Sequence, residues 1–274
     1  MLSNFLIALR EGLEASLIVG ILVAYVVKAE RSKGLRFIWA GVGSAIAFSL
    51  GIGAFLTLTA HNLPPRFEPI FAGSTSLGAV ALVTWMVFWM RRTSHRLTAD
   101  LHERLSQAIG PIALTAVAFL AVAREGIETS VFLYSNAKAA GANSNPLIGL
   151  LLGFVLAVAL GWAVYNRAIH LDLGKFFAVT GIGLVIVAAG VLSHGVGDLE
   201  DAFNKHPALA FDVHRFIGSD SVLGHLLSGT IGFSPVTTIL QASAWIVYLV
   251  VVLSIYLRKP GRRPTHIPTE VKST

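Results

Sequence analysis

The chain has no cysteine. Disulfide scaffolds and thiolate metal sites are therefore excluded, and the compartment stays open. Charge is also scarce: 13% of the 274 residues are Asp, Glu, Lys or Arg, about half the share usual in a soluble domain, roughly 25%. A basic n-region is missing before the first apolar run, and Arg10, Glu11 and Glu14 interrupt that run. It reads as a retained membrane helix and not as a cleaved signal peptide. What the chain has instead is apolar sequence, 54% of its residues, with a mean hydropathy of +0.71. Most of it is expected to lie in lipid. The net charge of +6 does not point to nucleic acid, because the basic residues sit in short clusters between apolar runs.

A helix needs about 20 apolar residues to cross the hydrocarbon core. Seven segments qualify, near 2–27, 37–60, 69–90, 110–134, 147–167, 175–193 and 237–257. The expected fold is an all-α polytopic membrane protein with seven transmembrane helices in one domain over residues 1–257. Fifteen basic residues fall on one side, in the loops after the first, third and fifth segments and in the basic tail 258–274. The opposite loops hold only Arg66, Lys138, Lys205 and Arg215. The positive-inside rule then places the N-terminus outside and the C-terminus in the cytoplasm. Trp85 and Trp89, just before Arg91, read as an interfacial belt. Ser16, Gly20 and Ala24, and likewise Gly43, Ala47 and Gly51, recur at fourfold spacing, which permits close helix packing. Residues 93–108 are polar and are expected to form an amphipathic helix or loop. Residues 194–236 are expected to form an external loop.

Two stretches repeat. Phe5-Leu6-x-x-x-Arg10-Glu11-Gly12-x-Glu14-x-Ser16 matches Phe119-Leu120-x-x-x-Arg124-Glu125-Gly126-x-Glu128-x-Ser130, 114 residues later. The copies are offset by three segments, an odd number, so the second enters from the opposite side. The expected architecture is an inverted 3 + 3 repeat (about 1–90 and 110–193) with a seventh helix added, and such repeats place their site near the midplane. Residues three and four apart share a helix face. Each motif therefore projects two carboxylates and one guanidinium together. Six ionisable groups facing lipid would cost on the order of 15–20 kcal/mol, so they are expected to face inward and neutralise one another. Four Glu and two Arg leave a charge of −2, which a divalent cation balances. Carboxylate oxygens suit hard cations such as iron, manganese or magnesium. Glu11, Glu14, Glu125 and Glu128 are the candidate metal ligands; Arg10 and Arg124 hold them. A second, weaker candidate lies at the outer mouth: His194, Asp198, Glu200 and Asp201, where negative potential would gather cations.

These residues resemble the oxidase-dependent iron transporters, which include fungal Ftr-type and bacterial Efe-type permeases. The resemblance rests on the paired Arg-Glu-x-x-Glu motifs in the first and fourth of seven helices. The stretch Leu82-Val83-Thr84-Trp85-Met86-Val87-Phe88-Trp89-Met90-Arg91 and the later Trp245-x-x-Tyr248 add to it. The resemblance implies a high-affinity iron permease of the bacterial cytoplasmic (inner) membrane. Iron, Fe2+ or Fe3+, would be its transported substrate, with no tightly bound cofactor. It also implies a periplasmic iron-binding protein and a haem peroxidase, or a ferroxidase, as partners. One departure stands out: an acid is expected early in the last helix, where this chain has Gln241. Two other readings remain: a permease for manganese or lead, and an intramembrane carboxylate metal enzyme. Di-iron bundles add Glu-x-x-His motifs, and neither Arg-Glu-Gly-x-Glu motif contains a histidine. A proton pathway is a third reading, since buried Glu also relays protons.

Overall fold

The computed structural model describes residues 2–28, 34–93, 110–140, 146–166, 172–203, 208–212, 227 and 232–258. The polar segment after 93 and the basic tail after 258 lie outside the described residues, as do His206, His214, Arg215, Asp220 and His225.

Seven helices stand among the described residues: α1 (Leu2–Lys28), α2 (Leu35–Asn62), α3 (Glu68–Thr93), α4 (Pro111–Ala140), α5 (Pro146–Tyr165), α6 (Leu173–Phe203) and α7 (Ile239–Leu257). Five of them, α2, α3, α5, α6 and α7, are long and apolar enough to cross a membrane. The other two, α1 and α4, carry the Arg-Glu-Gly-x-Glu sequences. The chain is thus an all-α protein of membrane character. A short antiparallel ladder, β1 (Leu209–Asp212) with β2 (Val236–Thr238), is the one addition among the described residues. It leads into α7, whose start is fixed by a capping box: Thr238 Oγ1 accepts from the Gln241 backbone N–H, and the Gln241 side chain accepts from the Thr238 N–H. Such a pair satisfies amides left open at a helix start.

The sixth helix differs from expectation. It does not stop at 193 but runs on to Phe203, so residues 194–203 are helix and not external loop. The cause is packing on two sides. Gly195 and Leu199 meet Ser76 and Gly73 of α3, while Gly197 and Ser193 meet Gln241 of α7. Glycine at these positions lets neighbouring helices close on the last turns, so the helix stays supported past its apolar stretch.

Small residues also fix the helix pairs. Gly153 meets Ala8, Gly12 meets Ala157, and Gly161 meets Ser16. Numbers rise together, so α1 and α5 run parallel. In the same way Thr115 Oγ1 donates to Phe37 O at 3.2 Å and Ser130 Oγ to Ser49 O at 2.9 Å, and Gly126 abuts Ser49, so α2 and α4 run parallel. Helices α3 and α6 run antiparallel, with Gly73 near Leu199 and Gly181 near Val87. Thr84 and Tyr248 hydroxyls, 2.7 Å apart, tie α7 to α3. Of the two expected small-residue stripes, Ser16 and Gly20 on α1 do face α5, whereas Gly43 and Gly51 on α2 meet nothing within 4 Å. Helix α2 packs through Gly41, Ala45 and Ser49 instead. The largest apolar cluster joins α3, α6 and α7 and includes Ile7 of α1 and Phe132 of α4.

Candidate metal centre

Helix α1 crosses α4 antiparallel, with Asn4 against Asn136 and Glu11 and Glu14 near Glu125. The crossing places the two motifs face to face. Glu11, Glu14 and Glu125 each offer a carboxylate oxygen, and these atoms all lie within 4.8 Å of one another. Among the described residues this is the one group of three or more acidic or His side chains so gathered. All three are buried. Glu128 stands beside them but is committed to its own arginine.

The two arginines play unequal parts. Arg10 Nε lies 3.3 Å from Glu14 Oε1, and both side chains are 1–3% exposed. Arg124 Nε lies 3.1 Å from Glu128 Oε1, to which it donates, and 3.9 Å from Glu125 Oε1. Its side chain is 35% exposed. Each guanidinium has an aromatic neighbour. Arg124 sits 4.2 Å over the Trp89 ring of α3, and Arg10 lies 5.9 Å from the Phe177 ring of α6. Cation–π contact holds a guanidinium without spending a carboxylate oxygen. Of the two expected belt residues, Trp89 thus has Arg124 on its ring, while Trp85, 58% exposed, faces outward.

Those contacts leave acceptors open. Glu11 Oε2, Glu125 Oε2 and Glu128 Oε2 are buried without a hydrogen bond, as are Arg10 Nη1 and Arg124 Nη2. Buried polar atoms are normally paired, and each orphan costs about 1–3 kcal/mol. Orphaned carboxylate oxygens converging from two helices fit a cation. The donors are oxygen only, which favours hard ions. Gly12 and Gly126 sit beside these acids because nothing larger fits. A Cβ on Gly126 would lie 1.9 Å from Ser49 Oγ, and one on Gly12 2.8 Å from the Phe154 ring.

A cavity of about 550 Å³ reaches the cluster from the other side, between the α1–α5 and α2–α4 pairs. Glu11 and Glu125 open onto it, together with Ser16 and Ser130, the two matching serines of the repeat. Its walls are otherwise mostly apolar. Buried carboxylates at the base of an apolar cavity are exposed to a low dielectric, so an ion there feels them strongly.

The outer-mouth residues are placed differently. His194, Asp198 and Asp201 lie three to four residues apart along one face of the last turns of α6. His194 Nδ1 is 3.0 Å from Gly190 O. Glu200 turns to another face and accepts from Thr238 Oγ1 at the start of α7. The structure does not gather these four side chains into one group within ligating distance. The amide pair Asn4–Asn136, and the aromatic supports Trp89 and Phe177, were not legible as site residues. Their only sequence signal is position: Asn4 is seven residues before Glu11 and Asn136 eleven after Glu125, whole turns along the same faces.

Three comparisons bear on this site. The model of the iron permease FTR1 family matches residues 1–260. Ferrous iron permease EfeU of Escherichia coli O6:H1 is 34% identical over 267 residues, covering 95% of this chain and 96% of that protein. The protein of the same name from Shigella sonnei is 34% identical over the same shares, and the one from Yersinia pestis 33%, covering 95% of this chain and 94% of its own length. No solved structure matches.

Proposed function

The chain belongs to the iron permease FTR1 family, and from that premise we propose that it imports iron through the carboxylate cluster where α1 crosses α4. The observation that carries the proposal is the convergence of Glu11, Glu14 and Glu125 within 4.8 Å, from two copies of one motif on antiparallel helices. The relatives are named ferrous iron permeases, and the charge of −2 left by four Glu and two Arg matches Fe2+.

The packing supports an inverted repeat. Ser16 meets Gly161 just as Ser130 meets Gly53, and Gly12 meets Ala157 just as Gly126 meets Ser49. Each half thus wedges its motif helix against the glycine- and serine-lined second helix of the other half. The strictly alternating helix directions fit seven crossings, and the basic loops orient the first outside-in. We place the protein in the bacterial cytoplasmic membrane, working with a periplasmic iron-binding protein and a haem peroxidase or a ferroxidase.

The chemistry follows from the arrangement. An incoming Fe2+ exchanges water for carboxylate oxygens of Glu11, Glu14 and Glu125. Arg10 keeps Glu14 in place when the ion is absent, and Arg124 does the same for Glu128. Without them four like charges would spread apart. Because Glu11 Oε2 on α1 and Glu125 Oε2 and Glu128 Oε2 on α4 remain unsatisfied, binding draws α1 and α4 together, and release lets them part. The cavity gives the ion its way on from Glu11 and Glu125.

The test is uptake into proteoliposomes loaded with an iron-sensitive dye. Fe2+ should enter, and Glu14→Ala and Glu128→Ala should abolish entry. Undiminished uptake in both variants, or transport of Mn2+ with no transport of iron, would overturn the proposal.

A further inference from the structure

Beyond the carboxylates, the α1–α4 crossing carries a second polar contact. Asn136 Nδ2 donates to Asn4 Oδ1, and the two residues are 5% and 2% exposed. Ser3 and Ser135 beside them are 1% exposed, and Ser135 Oγ has no hydrogen bond. Along α1 the stripe reads Asn4, Ile7, Glu11, Glu14; along α4 it reads Glu125, Thr129, Phe132, Asn136. Running antiparallel, the two stripes set amide against amide at one end and carboxylate near carboxylate at the other. Seven residues separate Asn4 from Glu11, about 10 Å along the helix. Ile7 and Phe132 fill the space between, each 2% exposed and part of one apolar cluster.

We propose that Asn4 and Asn136 line the ion's route on the outer side of the carboxylates, and that their mutual hydrogen bond, backed by Ile7 and Phe132, closes it in this structure. The inference rests on the permease reading and its orientation. None of the four residues borders the cavity that reaches Glu11 and Glu125. The carboxylates are therefore reached from the cavity side and sealed on the amide side. An amide pair can join membrane helices structurally, but Ser135 Oγ beside it has no hydrogen bond, and a buried hydroxyl left unpaired is costly unless water or a passing ion takes it up. Together the amides and the hydroxyl suit a passage that must alternate. Closed, the Asn4 carbonyl is taken up by the Asn136 N–H; open, the carbonyl oxygens take over part of the hydration shell of a hydrated Fe2+ before it meets the carboxylates. The neutral amides pass the ion on where a further acid would hold it.

The chain has no cysteine, so a pair can be introduced cleanly. Asn4→Cys/Asn136→Cys is reconstituted and bridged with a short, reducible bis-thiosulfonate reagent. Fe2+ uptake should fall to the level of empty vesicles when bridged and return on reduction. Equal uptake by the bridged and reduced forms would overturn the closure while leaving the permease reading intact. Absence of uptake already in the wild type would overturn the permease reading and the closure with it. A second measurement needs no bridge: labelling of Ile7→Cys from outside by a membrane-impermeant thiol reagent. Adding Asn4→Ala/Asn136→Ala should speed labelling about tenfold, the change expected from losing one buried hydrogen bond. Unchanged labelling would equally refute the closure.

Discussion

Arg10→Met removes the guanidinium and keeps most of the side-chain volume. Arg10 and Glu14 are 1% and 3% exposed and 3.3 Å apart, so the substitution strands Glu14 in a dry interior beside Glu11. Breaking a buried pair by removing one partner costs about 3–5 kcal/mol. The matching change Arg124→Met strips Glu128 of its partner, but Arg124 is 35% exposed, so water on the proposed ion route can reach the carboxylate left behind. Its cost should be about 1–2 kcal/mol, closer to the surface value. The two changes should therefore differ severalfold although their motifs match letter for letter. Reversible unfolding in SDS, read by tryptophan fluorescence, measures both. Arg10→Met/Glu14→Gln should recover most of the loss, because no uncompensated charge remains. Fe2+ at about one hundred times its dissociation constant should return about 2.7 kcal/mol to any variant that still binds it. Equal costs for the two arginines, or a double variant no better than Arg10→Met, would refute the burial argument.

Three further outcomes follow from the same contacts. Glu11→Gln and Glu125→Gln each keep side-chain shape and remove one charge from the cluster, so Fe2+ affinity by calorimetry should fall about tenfold or more in both, with unfolding little changed; a change in one alone would deny that the two repeats share a site. Gly126→Ala drives a methyl against Ser49 and should destabilise by about 1–3 kcal/mol, partly recovered by Ser49→Gly, as read by thermal denaturation in detergent. Trp89→Leu loses the ring beneath Arg124, a contact worth about 0.5–2 kcal/mol, and should lower uptake, whereas Trp85→Leu on the exposed face should leave it unchanged.

The helices were legible because the period and length of apolar runs are imposed by the bilayer. All seven segments appear within three residues of their expected bounds except at the end of α4, which runs on from 134 to Ala140, and at the end of α6. There the charged run from Asp198 to Asp201 looks like a solvent loop, and only the contacts of Gly195 and Gly197 reveal why it stays helical. The four motif acids and their arginines were legible because ionisable groups in an apolar run must face inward. Which small residues pack was not, since lipid and protein neighbours are equally apolar. Gly43 and Gly51 spell the same pattern as Gly41 and Ala45 one face away, yet α2 uses the latter. Trp89 could not be told from Trp85 for the same reason: a cation–π partner 35 residues downstream leaves no local mark. The near equivalence of the two halves was visible as a repeated motif, but the unequal burial of Arg10 and Arg124 belongs to tertiary packing alone.

Whether Glu11, Glu14 and Glu125 together hold the transported iron is read directly by anomalous scattering at the iron edge from crystals soaked in Fe2+. A peak bonded to oxygens of these three residues is expected, absent in Glu11→Gln/Glu125→Gln. Iron bound instead among His194, Asp198 and Asp201, with the α1–α4 cluster empty, would contradict that assignment.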